Sequence, residues 1–178
     1  MIQRLALMVI AALLCLANSN VYAQWYNPSK VPLQLGYKYG EALNEAKLRN
    51  YAKALQLLDE CIATDARFVD AWLSKAGVYS EMKQYQPSVE LYEQAYQLDS
   101  VYVRSFFLPF SIALAGKGDF AAALEKVKQF QEIPNLSDRP ARSAQYRRKC
   151  YEFAVQYQQS YPHRGNAIAP VNMGDSIN

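Results

Sequence analysis

The amino-acid sequence predicts an all-α solenoid in which three helix pairs are followed by one capping helix. Residues 49–66 (RNYAKALQLLDECIATDA) and 83–100 (KQYQPSVELYEQAYQLDS) carry the same pattern 34 residues apart. Apolar residues within each copy recur at intervals of three and four, which is the spacing of a helix face and not of a strand. Since one helix pair cannot bury both of its faces, the repeated pairs are expected to stack and share a continuous core.

The second helix of each pair carries the clearest pattern, and a third copy follows 35 residues after the second. The three apolar stripes are Tyr51, Ala54, Leu55, Leu58, Cys61 and Ile62, then Tyr85, Ser88, Val89, Tyr92, Ala95 and Tyr96, and finally Phe120, Ala123, Leu124, Val127 and Phe130. The longer interval predicts one extra residue between Ser100 and Arg104. Pro87 is expected in a first helical turn, where its missing N–H costs nothing, and Asp119 is expected to be a helix N-cap.

The first helices are less regular, but each has three positions suited to a large, a small and a large side chain. The three sets are Lys38, Ala42 and Glu45, then Trp72, Ala76 and Tyr79, and finally Phe107, Ser111 and Leu114. The charged residues of the first set suit a terminal repeat, against which no further repeat packs. Gly116 and Gly118 are expected to end the first helix of the third pair and to form the turn after it.

Residues 1–23 have the features of a secretory signal peptide. Arg4 precedes the apolar run LALMVIAALLCLA. Val21 and Ala23 then place small residues at positions −3 and −1 of a cleavage site before Gln24. The alternative is a retained anchor helix, for which the apolar run is short. We therefore expect export to the periplasm. The mature chain would comprise an N-terminal extension, the three repeats, the capping helix and an extended tail, at residues 24–34, 35–137, 138–161 and 162–178.

The capping helix is expected to have one packed face and one hydrated face. The two sets are Tyr146, Cys150, Phe153 and Tyr157 on the packed face, and Arg147, Arg148, Lys149, Glu152 and Gln158 on the hydrated face. Cys61 and Cys150 lie in helices far apart along the predicted stack, beyond the Cα separation of ~7 Å that a disulfide tolerates. Both are expected to be free and mostly buried thiols.

The residues that could perform catalysis or bind a metal do not form a set. His163 is the only histidine, and it stands in the tail without a relay partner. Glu41 and Glu45 lie one helical turn apart, but they lack the burial and the metal-ligand spacing that acid–base or metal chemistry needs. The net charge of +3 is too small to indicate nucleic-acid binding. The sequence therefore predicts no enzyme, no metal site and no cofactor.

The strongest charge cluster lies on and just before the capping helix. Its members are Arg139, Arg142, Arg147, Arg148 and Lys149. Such a basic patch could receive an acidic partner surface or an anionic envelope polymer. The alternative interpretation is a hydrated helix face that keeps the end of the solenoid soluble.

The arrangement W72-x3-A76-x2-Y79, Y85-x2-S88 and Y92-x2-A95 resembles the tetratricopeptide repeat family over residues 35–137. The resemblance implies a groove that is lined by first helices and binds a partner protein as a peptide or helix. The implied lining residues are Tyr39, Leu43 and Lys47, then Leu73, Gly77 and Ser80, and finally Leu108, Ile112 and Ala115. The Lys/Asn/Arg set with which some members clamp a C-terminal carboxylate is absent, which favours a helical or extended apolar guest.

Four further stretches, YNPSK, FLPFSIALAGKGDFAAAL, YRRKCYEFA and APVNMGDSIN, resemble the N-terminal region of Bacteroidetes envelope proteins. Those proteins combine tetratricopeptide repeats, a WD40-like (PD40) β-propeller and an OmpA-like peptidoglycan-binding domain, and some are linked to type IX secretion. The resemblance implies a non-catalytic periplasmic scaffold of an outer-membrane-associated assembly, which meets the membrane only indirectly. The alternative is a free-standing periplasmic adaptor or chaperone-like binding protein. The 178 residues include neither the propeller nor the OmpA-like domain, so peptidoglycan binding is not assigned to them, and the oligomeric state stays open.

Overall fold

A computed structural model describes residues 31–161, and they form helices joined by short turns. The seven α-helices are α1 (Leu33–Lys47), α2 (Tyr51–Thr64), α3 (Val69–Glu81), α4 (Tyr85–Leu98), α5 (Phe107–Lys117), α6 (Phe120–Gln131) and α7 (Asp138–Ser160). A 3₁₀ helix at Tyr102–Phe106 precedes α5. No strand occurs between residues 31 and 161, and the predicted all-α solenoid is confirmed. The predicted signal peptide, most of the N-terminal extension and the tail lie outside the described residues.

The helices pack in the order in which the chain makes them. Helices α1 and α2, α3 and α4, and α5 and α6 form three pairs, while α7 packs against α6. Successive pairs touch through α2 with α3 and through α4 with α5. This serial contact is the defining feature of a solenoid, because each pair supplies one wall of its neighbour's core.

Small residues lie where the paired helices approach most closely. Ala42, Ala76 and Ala123 are fully buried at positions that the sequence pattern assigns to small side chains. Ser88 occupies such a position in α4, and its hydroxyl donates to the carbonyl oxygen of Ala76 at 2.8 Å. That hydrogen bond satisfies a buried polar group that would otherwise cost about 1–3 kcal/mol.

The extra residue of the third interval lies in the 3₁₀ helix, where the sequence predicts it. The Asp99 carboxylate, itself buried, accepts hydrogen bonds from the backbone N–H groups of Val101 at 3.1 Å and Tyr102 at 2.8 Å. Asp119 accepts from the N–H of Ala122 at 3.0 Å, so the predicted N-cap of α6 is confirmed. The 3₁₀ helix and α6 are therefore each preceded by an aspartate whose carboxylate accepts hydrogen bonds from free backbone N–H groups.

The turn inside each helix pair contains one left-handed residue, and the three are in register. These residues are Arg49, Lys83 and Gly118, with φ of 62°, 58° and 97°. The next residue closes each turn with a hydrogen bond to the carbonyl five residues earlier, as from Asn50 to Glu45 at 2.9 Å. Only Gly118 adopts this conformation without a Cβ penalty.

Replacing Lys83 with glycine is expected to raise the free energy of unfolding by about 1 kcal/mol, because it removes the Cβ strain of a left-handed residue. Thermal or denaturant unfolding measures this change. The matched control is Lys128→Gly on the exposed face of α6, where glycine is expected to lower stability by about 1 kcal/mol. A loss of stability in both variants would contradict the prediction.

The prediction that Gly116 ends the first helix of the third pair is wrong. Gly116 lies inside α5, which continues to Lys117, and Gly118 alone provides the left-handed turn. A Cβ added at Gly116 would lie 2.6 Å from ring carbons of Tyr85. Glycine is therefore required at this position by the close approach of an aromatic ring, and not by the backbone conformation.

The predicted packed face of the capping helix is also wrong. Helix α7 packs through Ala144 and Tyr151, whose ring centroid lies 6.4 Å from that of Phe120. Tyr146 and Phe153 are 70% and 69% exposed, and Cys150 is exposed as well. Cys61 is buried as expected, whereas the expectation of a buried Cys150 fails because α7 presents a different stripe to α6.

Candidate functional site

The candidate site is a cleft between the first helices α1 and α3. Its volume is about 610 Å³, and α2 contributes its floor. The lining side chains are a mixture of apolar and charged groups, namely Leu43, Ala46, Lys47, Arg49, Tyr51, Leu58, Ser74, Gly77, Val78 and Glu81. Most of them belong to two successive first helices, and a tetratricopeptide-like groove is formed by such helices.

Leu43 and Gly77 occupy equivalent positions of α1 and α3, since they stand 34 residues apart. Leu43 is half-buried and offers apolar surface, while Gly77 offers no side chain. An added Cβ at Gly77 would meet no atom within 4 Å, so the space above this glycine is open. A side chain of a guest could therefore approach the backbone of α3 at Gly77.

The charged lining residues lie at the ends of α1 and α3. The hydroxyl of Tyr51 donates to the Glu81 carboxylate at 3.1 Å, which ties the start of α2 to the end of α3. Lys47 and Arg49 are exposed, and neither forms an ion pair within residues 31–161. The charged groups of the lining are therefore two cations, Lys47 and Arg49, and one carboxylate, Glu81.

A hydrogen-bonded network borders the cleft and links all three repeats. The Tyr39 hydroxyl lies 2.8 Å from the Ser74 hydroxyl and donates to the Asp70 carbonyl oxygen at 3.4 Å. The Tyr102 hydroxyl donates to the Asp70 carboxylate at 2.6 Å. Burial raises the pKa of the Asp70 carboxyl, although the hydrogen bond from Tyr102 opposes the shift. The same burial and the neighbouring carboxylate raise the pKa of Tyr102.

Replacing Asp70 with asparagine is expected to stabilise the protein at neutral pH. An acid whose pKa is raised by folding stabilises the fold below its unfolded pKa, ~3.9 for aspartate, and loses that contribution as the pH rises through the folded pKa. Asparagine keeps the acceptor for Tyr102 and has no charge to bury. The advantage of Asp70→Asn should therefore shrink as the pH is lowered, which denaturant unfolding across pH measures. An advantage that is equal at acidic and neutral pH would contradict this.

The structure brings some of the predicted groove residues together and separates others. Leu43, Lys47 and Gly77 line the cleft, and Tyr39 contacts its lining residue Ser74. Leu73 is only 4% exposed and belongs to the core. The Ser80 hydroxyl lies 3.0 Å from that of Ser88, so it faces the second helix of its own pair.

The third group of predicted groove residues lies on α5, outside the lining of this cleft. Leu108, Ile112 and Ala115 are half-buried. Leu108 and Ala115 pack against the core, whereas Ile112 stands 35 residues after Gly77 and is its equivalent in the third pair. Any extension of the groove towards the third pair would therefore run past Ile112.

Sequence reasoning missed Ser74 and Glu81, which line the cleft where Leu73 and Ser80 were expected. A shift of one residue turns a side chain by about 100° around the helix axis, which is enough to move it from the groove into the core. Steps of three and four residues from Gly77 lead to both missed positions. Leu43 and Gly77 occupy equivalent positions of two repeats. This equivalence was the signal from which the groove-facing side of each first helix could have been identified.

The residues of the predicted basic patch lie on α7, and some of them line a second cleft. Arg142, Arg148 and Lys149 line a second cleft of about 650 Å³ beside Gln131. Arg148 is paired with Glu152 at 2.8 Å. Arg139 is exposed outside this lining, and the half-buried Arg147 has a buried Nε without a hydrogen-bond partner among the described residues. Three of the five residues therefore share one cleft, and Arg139 and Arg147 lie outside its lining.

Two further searches concern the described residues alone. Between residues 31 and 161, no helix combines the length and hydropathy needed to span a bilayer. In the same part of the chain, His, Cys, Asp and Glu side chains form no group of three that could hold a metal ion.

Comparison with solved structures shows the fold. A structure of the Yersinia enterocolitica type III secretion chaperone SycD in complex with a peptide of the translocator YopD superimposes with a TM-score of 0.60 at 19% identity, covering 72% of this chain and 97% of that one. A second SycD structure gives 0.61 at 17%, covering 74% and 90%. The MamA RS-1 ArsTM double mutant gives 0.53 at 14%, covering 69% and 76%. No protein-family model and no curated protein matches the sequence.

Proposed function

We propose that this protein is a non-catalytic adaptor that holds a segment of a partner protein in the cleft between α1 and α3. The observation that carries the proposal is the open cleft of about 610 Å³ that successive first helices form around Leu43 and Gly77. A concave, partly apolar surface with a few charged groups at its edge is the usual form of a peptide-binding groove.

The lining defines the chemistry of the guest. Leu43 and Ala46 are half-buried and offer apolar contacts, so the guest would present an apolar side chain to the middle of the cleft. Lys47 and Arg49 would then receive a carboxylate of the same segment. A short amphipathic helix or an extended strand that carries both groups meets this description.

The comparison with SycD supports a protein as the partner. One of the SycD structures contains a peptide of the translocator YopD, and its fold matches 72% of this chain. At 19% identity the likeness concerns the fold, so the position of a guest in this chain is argued from its own lining residues.

We also propose that the protein acts in the periplasm as part of an outer-membrane-associated assembly. This rests on the signal-peptide features of residues 1–23 and on the resemblance of the four stretches named above to envelope proteins. A second candidate is a free-standing, chaperone-like binding protein, which the likeness to a secretion chaperone favours.

The groove proposal is tested with Gly77→Gln. An added side chain at Gly77 enters open space, so the fold should be kept while the cleft is filled. A displayed peptide library would be selected on the unaltered chain, and the Kd of the selected peptide would be measured for each variant. We expect Gly77→Gln to weaken binding at least about tenfold, which corresponds to ~1.4 kcal/mol.

The matched control is Gly40→Gln. Gly40 is a helical glycine at which an added Cβ also meets nothing within 4 Å, and it does not line the cleft. Its substitution should leave the Kd unchanged. A selected peptide that binds Gly77→Gln as tightly as the unaltered chain would refute the groove proposal, as would the failure of any peptide to bind.

A further inference from the structure

Helix α7 carries an exposed apolar stripe on the side opposite the face that packs against α6. Its members are Tyr146, Cys150, Phe153 and Tyr157. Tyr146 and Phe153 are 70% and 69% exposed, and Cys150 is exposed between them. Tyr157 is half-buried, and its ring centroid lies 6.2 Å from that of Phe153. Alternating intervals of four and three residues are those of a coiled-coil seam, along which one helix receives another.

The stripe lies on the face that a first helix of this solenoid presents to its paired helix. In α3, Val78 belongs to the core cluster of α1 and α2, whereas Leu73 and Ala76 on the opposite side belong to the cluster that contains α4. Helix α7 follows α6 as a first helix would, and Ala144 packs it onto the same core. Within residues 31–161 no helix follows α7. Its second face is therefore shaped for a helix that this part of the chain does not supply.

We propose that α7 pairs antiparallel with α7 of a second copy of this chain, through the two aromatic stripes. The spacing of the stripe is four, three and four residues in either direction, so the stripe is complementary to its own reverse. A twofold axis between Cys150 and Phe153 places Cys150 of one copy opposite Phe153 of the other, and Tyr146 opposite Tyr157. Each α7 then receives an antiparallel helix, as α3 does from α4.

The charges of α7 favour the antiparallel direction. Residues 138–152 carry five cations and two carboxylates, whereas residues 153–160 carry no charged side chain. A parallel pair would bring the two basic halves together, which is unfavourable, while an antiparallel pair sets each basic half against an uncharged half. Lys149 and Gln156 are exposed on the same side of the stripe, seven residues apart. Lys149 of one copy would therefore lie beside Gln156 of the other.

The area of the stripe predicts a weak dimer. A whole aromatic side chain offers about 200 Å², so Tyr146 and Phe153 together expose roughly 280 Å². A standard interface buries about 800 Å² on each partner, and smaller interfaces are typical of transient contacts. The dimer should therefore dissociate on dilution, and denaturant unfolding of a dilute sample would report on the single copy.

Sedimentation equilibrium of the full chain under reducing conditions tests the proposal, because the mass should rise from one copy to two as the concentration increases. Tyr146→Gln removes one apolar ring from each end of the contact, and it should raise the Kd of the dimer at least about tenfold. Since Tyr146 is 70% exposed, the substitution should leave the melting temperature of the dilute chain unchanged.

The matched control is Tyr37→Gln. Tyr37 is 72% exposed on α1, away from the stripe, so the same chemical change there should leave the Kd unchanged. A mass of one copy at every concentration would overturn the proposal and assign the stripe to another occupant. A dimer that both substitutions weaken equally would overturn it as well.

The direction of the pair is tested with Gln156→Glu. In an antiparallel dimer the new carboxylate lies beside Lys149 of the other copy at two equivalent places, so the Kd should fall about threefold at low salt and return at high salt. Gln159→Glu adds the same charge on the side of α7 away from the stripe and should have a smaller effect. An equal change for both variants, or no change for either, would overturn the antiparallel arrangement.

Discussion

Replacing Phe107 with alanine is expected to lower the free energy of unfolding by about 3–5 kcal/mol, the largest effect of any substitution considered. Phe107 is 1% exposed at the start of α5, and its ring centroid lies 6.4 Å from that of Phe110 and 5.6 Å from that of Tyr96. Alanine would leave a cavity between the second and third pairs, and the tight packing on all sides leaves little room for collapse.

The ammonium group of Lys126 adds to this cost. It lies 4.3 Å from the Phe107 ring centroid and 4.7 Å from that of Tyr96, so it is held by the faces of aromatic rings. Burial lowers the pKa of Lys126, and removing the Phe107 ring deprives the cation of its nearest partner.

Denaturant unfolding measures the effect, and Phe153→Ala provides the matched control. Phe153 is 69% exposed on α7, so the same chemical change there should alter stability by less than about 0.5 kcal/mol. Equal losses for the two variants would show that Phe107 is not a core residue.

Replacing Gly116 with alanine is expected to lower the free energy of unfolding by about 1–3 kcal/mol, although alanine usually stabilises a helix. The new Cβ would lie 2.6 Å from three ring carbons of Tyr85, closer than non-bonded carbons approach. The ring or the whole of α5 must move to relieve this contact. The Tyr85 ring is half-buried, and α5 is held in the core by Phe107, Phe110 and Leu114.

The control for this substitution is Gly77→Ala in α3, where the added Cβ meets no atom and stability should rise by about 0.5–1 kcal/mol. A double-mutant cycle adds Tyr85→Ala to Gly116→Ala. Because the smaller side chain removes the clash, the two substitutions should be non-additive by at least about 1 kcal/mol. Additive losses would locate the strain elsewhere than at Tyr85.

The repeat pattern predicted the fold because it records packing that recurs at a fixed interval. Ala42, Ala76 and Ala123 stand where neighbouring backbones meet, and any larger side chain there would force the helices apart. Asp119 was predictable for a local reason, since an N-cap interacts with backbone only three residues away. Periodicity and capping are both properties of short stretches of sequence.

The packing of α7 could not be predicted in the same way, because the helix carries two candidate stripes. The stripe of Ala144 and Tyr151 is the buried one, while that of Tyr146 and Phe153 is longer and more apolar but exposed. Pattern alone favours the richer stripe. The shape of the α6 surface decides between them, since the Tyr151 ring meets Phe120 there.

The candidate cleft was predicted in part. Register alone places Leu43 and Gly77 on one face, but the exact lining depends on helix rotation, which the sequence leaves uncertain by one residue. Arg49 and Tyr51 enter the cleft from a turn and from a second helix. A prediction that takes lining residues only from the first helices cannot identify Arg49 and Tyr51.

The left-handed residues at 49, 83 and 118 have a consequence for the kinetics of folding. Each closes its hairpin with hydrogen bonds that join residues three and five apart, so each pair can form from contacts close in sequence. Chains with such low contact order fold on a scale of microseconds to milliseconds. Folding can then start in any hairpin and spread to its neighbours. Within residues 31–161 the pair of α1 and α2 has a neighbouring pair on one side only, so we expect it to open before the middle pair.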